Sequence, residues 1–171
     1  MMNRIALAAL MLLAVCALHA TAATLEGRVV GVSDGDTVTV LTAEHRQFRI
    51  RLSGIDAPEK KQAFGTHAKE TLARQLFGQE VVIEWSKTDR YGRILGKIEV
   101  GGVDANLEQL RSGSAWVYTQ YLRELAPADR VLYLEAERRA QSEHRGLWRD
   151  SEPEPPWQWR HELRAHHRSG S

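Results

Sequence analysis

Apolar and polar residues alternate along several stretches of the chain, the pattern of β-strands that bury one face. The clearest stretch alternates three apolar residues with two arginines: Phe48, Arg49, Ile50, Arg51 and Leu52. One face of this strand is therefore expected to pack in the core, and both arginines are expected to project from the other. Gly54 frees the chain to turn directly afterwards, and Pro58 suits the entry to a helix.

Five strands are predicted in all. Their ranges are residues 24–33, 37–41, 47–53, 80–85 and 93–100. Asp34, Gly35 and Asp36 form a tight-turn signature between the first two, which predicts a hairpin. The third strand follows after a short connection, so the first three strands are expected to form an antiparallel meander.

A helical pattern separates the third strand from the fourth. Residues 59–77 carry one apolar stripe at four-residue steps, made of Phe64, Ala68, Leu72 and Leu76. Gly78 is a natural end for this helix.

Two further helices are predicted after the fifth strand. The first is short, is capped by Asp104 and ends at Gly113. The second starts at Pro127, ends with Gly146 as a glycine C-cap and buries one stripe, made of Leu132, Ala136 and Ala140. Five strands with a helix inserted after the third predict an α+β fold, namely a five-stranded OB-fold β-barrel with about three α-helices. Such barrels bind oligonucleotides on one face, but a fold alone does not give a function.

Residues 1–23 have the composition of a secretory signal peptide. Arg4 precedes an apolar run at 5–18, and Ala-Thr-Ala at 20–22 is a cleavage signal that predicts a cut between Ala22 and Ala23. The apolar run is short for a transmembrane anchor. Lipid attachment at Cys16 is the alternative, although Val15 is an unusual residue before a lipidated cysteine. We therefore expect an exported protein, either periplasmic or secreted.

The signal peptide leaves residues 24–149 as the globular domain and residues 150–171 as a tail. The tail is rich in Pro, Trp and His, and its composition predicts disorder.

Cys16 is the single cysteine, so the mature chain has no thiol for catalysis, for a disulfide or for a Cys-zinc site. The chain has 23 Lys and Arg against 22 Asp and Glu, and loss of Arg4 makes the two equal. Any binding of a polyanion must therefore come from a local cluster of charge.

Three carboxylates are candidates for a metal site. Asp36 begins the second strand and Asp56 follows the third, and in an antiparallel meander these two ends lie together. Glu59 follows shortly after. Two carboxylates with backbone carbonyls and water suit Ca²⁺, with Mg²⁺ or Mn²⁺ as alternatives. The alternative is that the aspartates serve only as turn and cap residues.

Two arginines are candidates for binding a phosphate. Arg51 lies on the third strand and Arg93 opens the fifth, and a guanidinium offers a fixed fork of donors to phosphate oxygens. Nearby basic residues could bind flanking phosphates or be ordinary solvated charge; they are Arg49, Lys60, Lys61, Lys87 and Arg90.

Three motifs occur in an order that resembles the staphylococcal nuclease (thermonuclease) family. They are Asp-Gly-Asp-Thr at 34–37, Arg-Leu-Ser-Gly-Ile-Asp-Ala-Pro-Glu at 51–59 and Asp-Arg-Tyr-Gly-Arg at 89–93. Arg-Gly-Leu-Trp at 145–148 is similar to the usual end of that domain. The resemblance covers roughly residues 25–149.

The resemblance implies a Ca²⁺-dependent nuclease that cleaves DNA and RNA with little base specificity. By position, the implied metal ligands are Asp36, Asp56 and the backbone carbonyl of Ala57, which stands where the type member has Thr. The implied catalytic residues are Glu59 as general base, with Arg51 and Arg93 binding the scissile phosphate. The implied substrate-binding residues are Tyr91 and Tyr118, with Tyr121 as a further pocket tyrosine. To these we add Lys60 and Lys87, from the nearby basic residues, as expected contacts to flanking phosphates.

The resemblance therefore favours a hydrolytic endonuclease. We expect it to act as a monomer on DNA and RNA, without stable membrane association once the signal peptide is removed. The alternative is a non-catalytic OB-fold module that binds nucleic acid, because relatives that have lost the catalytic set occur. Here Asp36, Arg51, Asp56, Glu59 and Arg93 are all present, which favours the enzyme.

Overall fold

A computed structural model describes residues 23–169, with side chains to residue 166. The predicted signal peptide therefore lies outside the described residues except for Ala23. Eight strands are present in the described part: β1 Ala23–Val32, β2 Thr37–Leu41, β3 Gln47–Leu52, β4 Ile55–Asp56, β5 Glu80–Thr88, β6 Ile94–Val100, β7 Val103–Asp104 and β8 Trp116–Val117. The helices are α1 Gly65–Leu76, α2 Ala105–Arg111, α3 Pro127–Ser142 and α4 Pro156–Ser169, with 3₁₀ turns at Thr119–Glu124 and Gly146–Arg149.

The five long strands close into the predicted OB-type barrel. The sheet order is β3-β2-β1-β5-β6-β7, and β3 also pairs with β6 in parallel, which closes the ring. The predicted meander is confirmed, since β1 pairs with β2 and β2 pairs with β3, both antiparallel. Apolar side chains from every long strand fill the barrel and are fully buried; they include Val29, Val38, Val40, Ile50, Ile83 and Ile98.

Helix α1 packs against the barrel core and starts later than the sequence predicts. Ala68, Leu72 and Leu76 are fully buried, which confirms three members of the predicted stripe. The predicted start at residue 59 is wrong, because residues 59–64 form turns that end at Phe64 in a left-handed conformation. Phe64 packs instead against a second cluster with Leu147 and Trp148.

Helices α2 and α3 pack on each other next to β6. The cap at Asp104 is confirmed, because its side chain accepts a hydrogen bond from the Leu107 amide. On α3 the buried face is Tyr133, Ala136 and Ala140, whereas Leu132 is 45% exposed and its predicted burial is wrong. The Tyr133 hydroxyl donates to the Asp104 carboxylate at 2.9 Å, and this bond fixes the rotation of the helix.

The end of α3 also differs from the prediction. His144, not Gly146, adopts the left-handed conformation directly after the helix. The amides of His144 and Arg145 donate to the carbonyls of Gln141 and Ala140, the paired bonds of a Schellman motif. Gly146 instead lies so close to the Gly113 carbonyl that a Cβ would approach the oxygen to 2.1 Å.

The predicted disorder of residues 150–171 is wrong for residues 156–169, which form α4. Pro156 suits the first turn of a helix because its missing amide needs no partner there. Trp157 then contacts Trp116 edge-on and stacks on Tyr118. Composition suggested a solvated tail, but these aromatic contacts give the helix a surface to dock on. None of the helices within residues 23–169 combines the length and apolar character needed to cross a bilayer.

Candidate active site

A pocket of about 650 Å³ opens at the end of the barrel where β3 ends. It lies between the turn before β2, the segment from residue 51 to residue 59, the β5–β6 loop and α4. Its charged lining consists of Asp34, Asp36, Arg51, Asp56, Glu59, Lys87, Asp89, Arg90, Arg93, Glu124, Arg160 and Arg164. Its tyrosines are Tyr91, Tyr118 and Tyr121.

Arg51 joins the two aspartates that the sequence places together. Its Nη1 lies 3.2 Å from Asp36 Oδ2, and its Nη2 donates to Asp56 Oδ1 at 2.8 Å. The guanidinium also donates to the carbonyls of Leu52 and Ile55, so the strand end itself fixes its position. The geometric expectation that Asp36 and Asp56 lie near one another is therefore confirmed. All three side chains are buried.

The carboxylate of Asp36 is held rigidly. Its Oδ1 accepts from the Thr37 hydroxyl at 3.0 Å, and its Oδ2 accepts from the Ala57 amide at 2.8 Å. The second bond ties the turn before β2 to the segment after β4. Thr37 and Arg51 are also direct partners across the β2–β3 pair, which brings the turn and the strand end together.

Asp34 and Asp56 ionise less readily than exposed aspartates. Burial, together with repulsion from Asp36, raises the pKa of Asp34 to about 6. Burial also raises the pKa of Asp56, although hydrogen bonds from Arg160 and the charge of Arg51 oppose the increase. A bound cation would offset the repulsion between such crowded, buried carboxylates and would favour their ionised form.

Arg160 is the site residue that sequence reasoning missed. Its Nη2 donates to Asp56 Oδ2 at 2.7 Å, and its Nη1 donates to Glu59 Oε1 at 2.8 Å and to Asp56 Oδ1 at 3.2 Å. It comes from α4, more than a hundred residues along the chain from Asp56. Helical spacing was the available signal, because Trp157, Arg160 and Arg164 fall at i, i+3 and i+7 and so share one helix face.

Arg93 lines the same pocket from the position directly before β6. Its Nε donates to Asp89 Oδ2 at 2.7 Å, so the β5–β6 loop holds the guanidinium. Burial tends to raise the pKa of Asp89, but hydrogen bonds from the Arg93 amide and side chain and from the Tyr91 amide bring it below its ordinary value. The ring of Tyr91 is 66% exposed and lies 5.6 Å from the Arg93 guanidinium.

The remaining predicted binding residues are divided between the pocket and the surface. Lys87 lies in the pocket wall, with its Nζ 2.6 Å from Glu124 Oε1. Tyr118 also lines the pocket, and its ring stacks on Trp157 at 5.7 Å between centroids. Lys60 is exposed and is not among the described residues that line the pocket.

The site offers oxygen donors to a metal ion, chiefly the carboxylates of two aspartates. Within residues 23–166, no group of three or more His, Cys, Asp or Glu side chains is arranged to bind a metal. The donors present are the two carboxylates of Asp36 and Asp56, joined by Arg51, with the backbone of Ala57 directly beside Asp36. These hard oxygen ligands fit Ca²⁺ chemically if backbone carbonyl and water complete the shell. Arg160 at present supplies the positive charge that Asp56 needs.

Residues 49–150 match the family model described as "Staphylococcal nuclease homologue". This chain belongs to that family. The match contains Arg51, Asp56, Glu59 and Arg93, whereas Asp36 lies before it and Arg160 lies after it.

Several curated proteins are similar to this staphylococcal nuclease homologue over most of their length. A protein of Escherichia coli named "Uncharacterized endonuclease" is 44% identical over 140 residues, covering 81% of this chain and 87% of its own. A protein of Haemophilus influenzae with the same name is 41% identical, covering 78% and 71%. A protein of Shigella flexneri named "Micrococcal nuclease" is 40% identical, covering 78% and 79%.

Proposed function

We propose that this staphylococcal nuclease homologue is an exported, Ca²⁺-dependent nuclease that hydrolyses phosphodiester bonds of DNA and RNA. Membership of the family and the relatives named endonuclease and micrococcal nuclease support hydrolytic nuclease activity. The observation that carries the proposal is the meeting of Arg51, Asp56, Glu59 and Arg93 around one pocket. The proposal goes further in three respects, which are the dependence on Ca²⁺, the action on both DNA and RNA, and the export of the protein.

The charges around the pocket suit a phosphodiester undergoing attack by water. Negative charge grows on the phosphate oxygens during attack, and the guanidinium groups of Arg51 and Arg93 are held by hydrogen bonds where they line the pocket. Arginines fixed in this way stabilise the charge without first having to reorient. We propose that both arginines bind the scissile phosphate. Arg93 is also proposed to stabilise the negative charge on the departing 5′-oxygen.

Glu59 is the proposed general base. Its side chain is 40% exposed and opens onto the pocket, so a water molecule can reach it. A carboxylate placed beside the attacking water accepts its proton as the new bond to phosphorus forms. In the structure, Arg160 contacts the same carboxylate and must leave Glu59 before the base can act.

Asp36, Asp56 and the carbonyl of Ala57 are the proposed metal ligands. Ca²⁺ bound there would add positive charge next to the phosphate and would polarise it. Along the pocket wall, Tyr91, Lys87 and Tyr118 are proposed to contact flanking nucleotides through stacking and charge. Lys60 is proposed as an outer phosphate contact, since it is exposed and follows Glu59 directly.

Export rests on the amino-terminal sequence alone, with cleavage proposed between Ala22 and Ala23. Mass spectrometry of the protein recovered from an expressing bacterium tests this directly. A mature chain beginning at Ala23 outside the cytoplasm is expected. Recovery of the intact chain beginning at Met1 in the cytoplasm would contradict it.

Activity is tested by incubating the mature protein with plasmid DNA, single-stranded DNA and RNA. Each substrate is incubated with Ca²⁺, Mg²⁺ or Mn²⁺, and again with a chelator. Degradation of DNA and RNA with Ca²⁺ that stops on chelation is expected. Gel shifts without cleavage under every metal condition would favour the non-catalytic binding module instead.

A further inference from the structure

The carboxylates that the proposed chemistry needs are already in contact with a cation from the same chain. The Arg160 guanidinium makes three hydrogen bonds of 2.7–3.2 Å, two to Asp56 and one to Glu59. Asp56 is buried almost completely, and the Arg160 side chain is 32% exposed. The Asp56 end of the contact is therefore shielded from water, and charge pairs are stronger in such an environment than at the surface.

The helix that carries Arg160 is held by contacts of its first turn and of the segment directly before it. Trp157 stacks on Tyr118 and lies edge-on to Trp116, with centroids 5.7 and 5.9 Å apart. Ahead of the helix, the Gln62 side chain donates to the Glu154 carbonyl at 2.6 Å. Tyr118 itself lines the pocket, so these contacts hold α4 where Arg160 reaches the carboxylates.

Arg160 and a metal ion compete for the same oxygen atoms. Both Asp56 oxygens accept hydrogen bonds from Arg160, and Asp56 Oδ1 accepts a further one from Arg51. A cation that uses Asp56 as a ligand must displace at least the Arg160 contact. Glu59 is likewise neutralised as a base while its Oε1 accepts from Arg160.

We propose that α4 is an autoinhibitory segment whose Arg160 occupies the metal and base carboxylates of the closed active site until a divalent cation displaces it. The inference rests on the proposed function, because it assigns Asp56 to the metal and Glu59 to the proton. The segment closes the site in the absence of metal and opens it when metal binds. Activity therefore requires a higher Ca²⁺ concentration than the ligand set alone would require.

The size of the effect follows from the population of the closed form. When only a fraction of molecules has the site free, the apparent dissociation constant equals the intrinsic constant divided by that fraction. A closed form that holds nine molecules in ten weakens Ca²⁺ binding about tenfold. Removal of the Arg160 charge should therefore strengthen Ca²⁺ binding by the same factor of about ten.

The experiment uses the full mature chain and two variants of α4. Arg160→Gln removes the cation that contacts the carboxylates. Arg164→Gln is the matched control, because it removes the same charge one turn further along the helix, where it lines the pocket. Calorimetric titration with CaCl₂ gives the affinity of each protein, and thermal unfolding checks that each is folded.

We expect Arg160→Gln to bind Ca²⁺ at least about tenfold more tightly than the unaltered chain, and Arg164→Gln to change the affinity less than about threefold. Amide hydrogen exchange provides the second measurement. In the unaltered chain, saturating Ca²⁺ should speed exchange at residues 158–166. In Arg160→Gln, exchange there should be fast with and without Ca²⁺.

The outcomes separate this inference from the proposed function. A nuclease whose Arg160→Gln variant binds Ca²⁺ no more tightly than the Arg164→Gln control overturns the autoinhibition and leaves the hydrolysis standing. Failure of all three proteins to bind Ca²⁺ also overturns it. Tighter binding by Arg160→Gln, without cleavage of DNA or RNA by any of the three, upholds the competition and overturns the proposed activity.

Discussion

At the scale of single residues, the site depends on Arg51. The β3 pattern places it on the face opposite the apolar residues, and the closed barrel then buries it between Asp36 and Asp56. A buried guanidinium is tolerated because it is paired with two carboxylates and donates to two backbone carbonyls. Its neighbour Arg49 comes from the same strand but remains exposed. The two arginines are thus a matched pair for mutation.

Arg51→Gln should destabilise the protein by about 3–5 kcal/mol, because it leaves two buried carboxylates without their shared cation. The loss is measured as the free energy of unfolding in urea at pH 7. Arg49→Gln is the control and should change that free energy by no more than about 0.5 kcal/mol. Equal stability of the two variants would show that the Arg51 contacts contribute nothing to the fold.

At the scale of elements, the start of α1 sets the position of Glu59. Residues 59–64 fold as turns, and the Gly65 amide donates to the Gln62 carbonyl. A Cβ at Gly65 would lie 2.0 Å from the Glu59 carbonyl oxygen, which cannot move without moving Glu59. The absence of a side chain at Gly65 therefore lets the helix approach the loop that carries the proposed base.

Gly65→Ala should lower stability by about 1–3 kcal/mol, the usual range for an overpacked site. It should also lower the rate of DNA cleavage, because the Glu59 backbone is displaced. Gly31→Ala is the control, since the nearest atom to its added Cβ would be 3.6 Å away. Chemical unfolding and a cleavage assay check both variants, and a Gly65→Ala protein with unaltered activity would contradict the role given to this contact.

The contact between α3 and β8 gives an element-scale prediction that depends on pH. Glu137 accepts a hydrogen bond from the Val117 amide at 2.8 Å, yet burial raises the pKa of its carboxyl above the ordinary value. The folded protein thus binds the proton more readily than the unfolded chain. The ionised side chain consequently lowers stability above the folded pKa, and this cost disappears as the pH falls below the unfolded pKa.

Glu137→Gln keeps the acceptor and removes the charge. It should raise the melting temperature at pH 7.5 by about 2 °C, which corresponds to somewhat under 1 kcal/mol for a domain of this size. The gain should vanish near pH 3.5, where the carboxyl is protonated in both states. Calorimetric melting curves at the two pH values check this, and a gain of the same size at both would exclude the titration of Glu137 as its cause.

At the scale of the whole molecule, the sequence predicted the barrel because local signals were strong there. Alternating residues marked β3, the Asp-Gly turn marked the first hairpin, and chain topology alone placed Asp36 next to Asp56. The features that the sequence pattern did not predict depend on contacts between distant segments. Tyr133 rotates α3 through its bond to Asp104 and leaves Leu132 exposed. The composition of the tail predicts a solvated segment, but Trp157 packs on Trp116 and Tyr118, and neither contact can be read from composition.

Glu59 provides the most direct test of the account. The measurement is the rate of cleavage of single-stranded DNA, at saturating Ca²⁺, by the unaltered chain and by two variants. Glu59→Gln removes the proposed base, whereas Glu70→Gln makes the same change at an exposed position on α1. Glu59→Gln should cleave about 10²–10⁴ times more slowly than the unaltered chain, and Glu70→Gln should cleave at the unaltered rate. Cleavage by Glu59→Gln at the rate of the unaltered chain would contradict the role of Glu59 as general base.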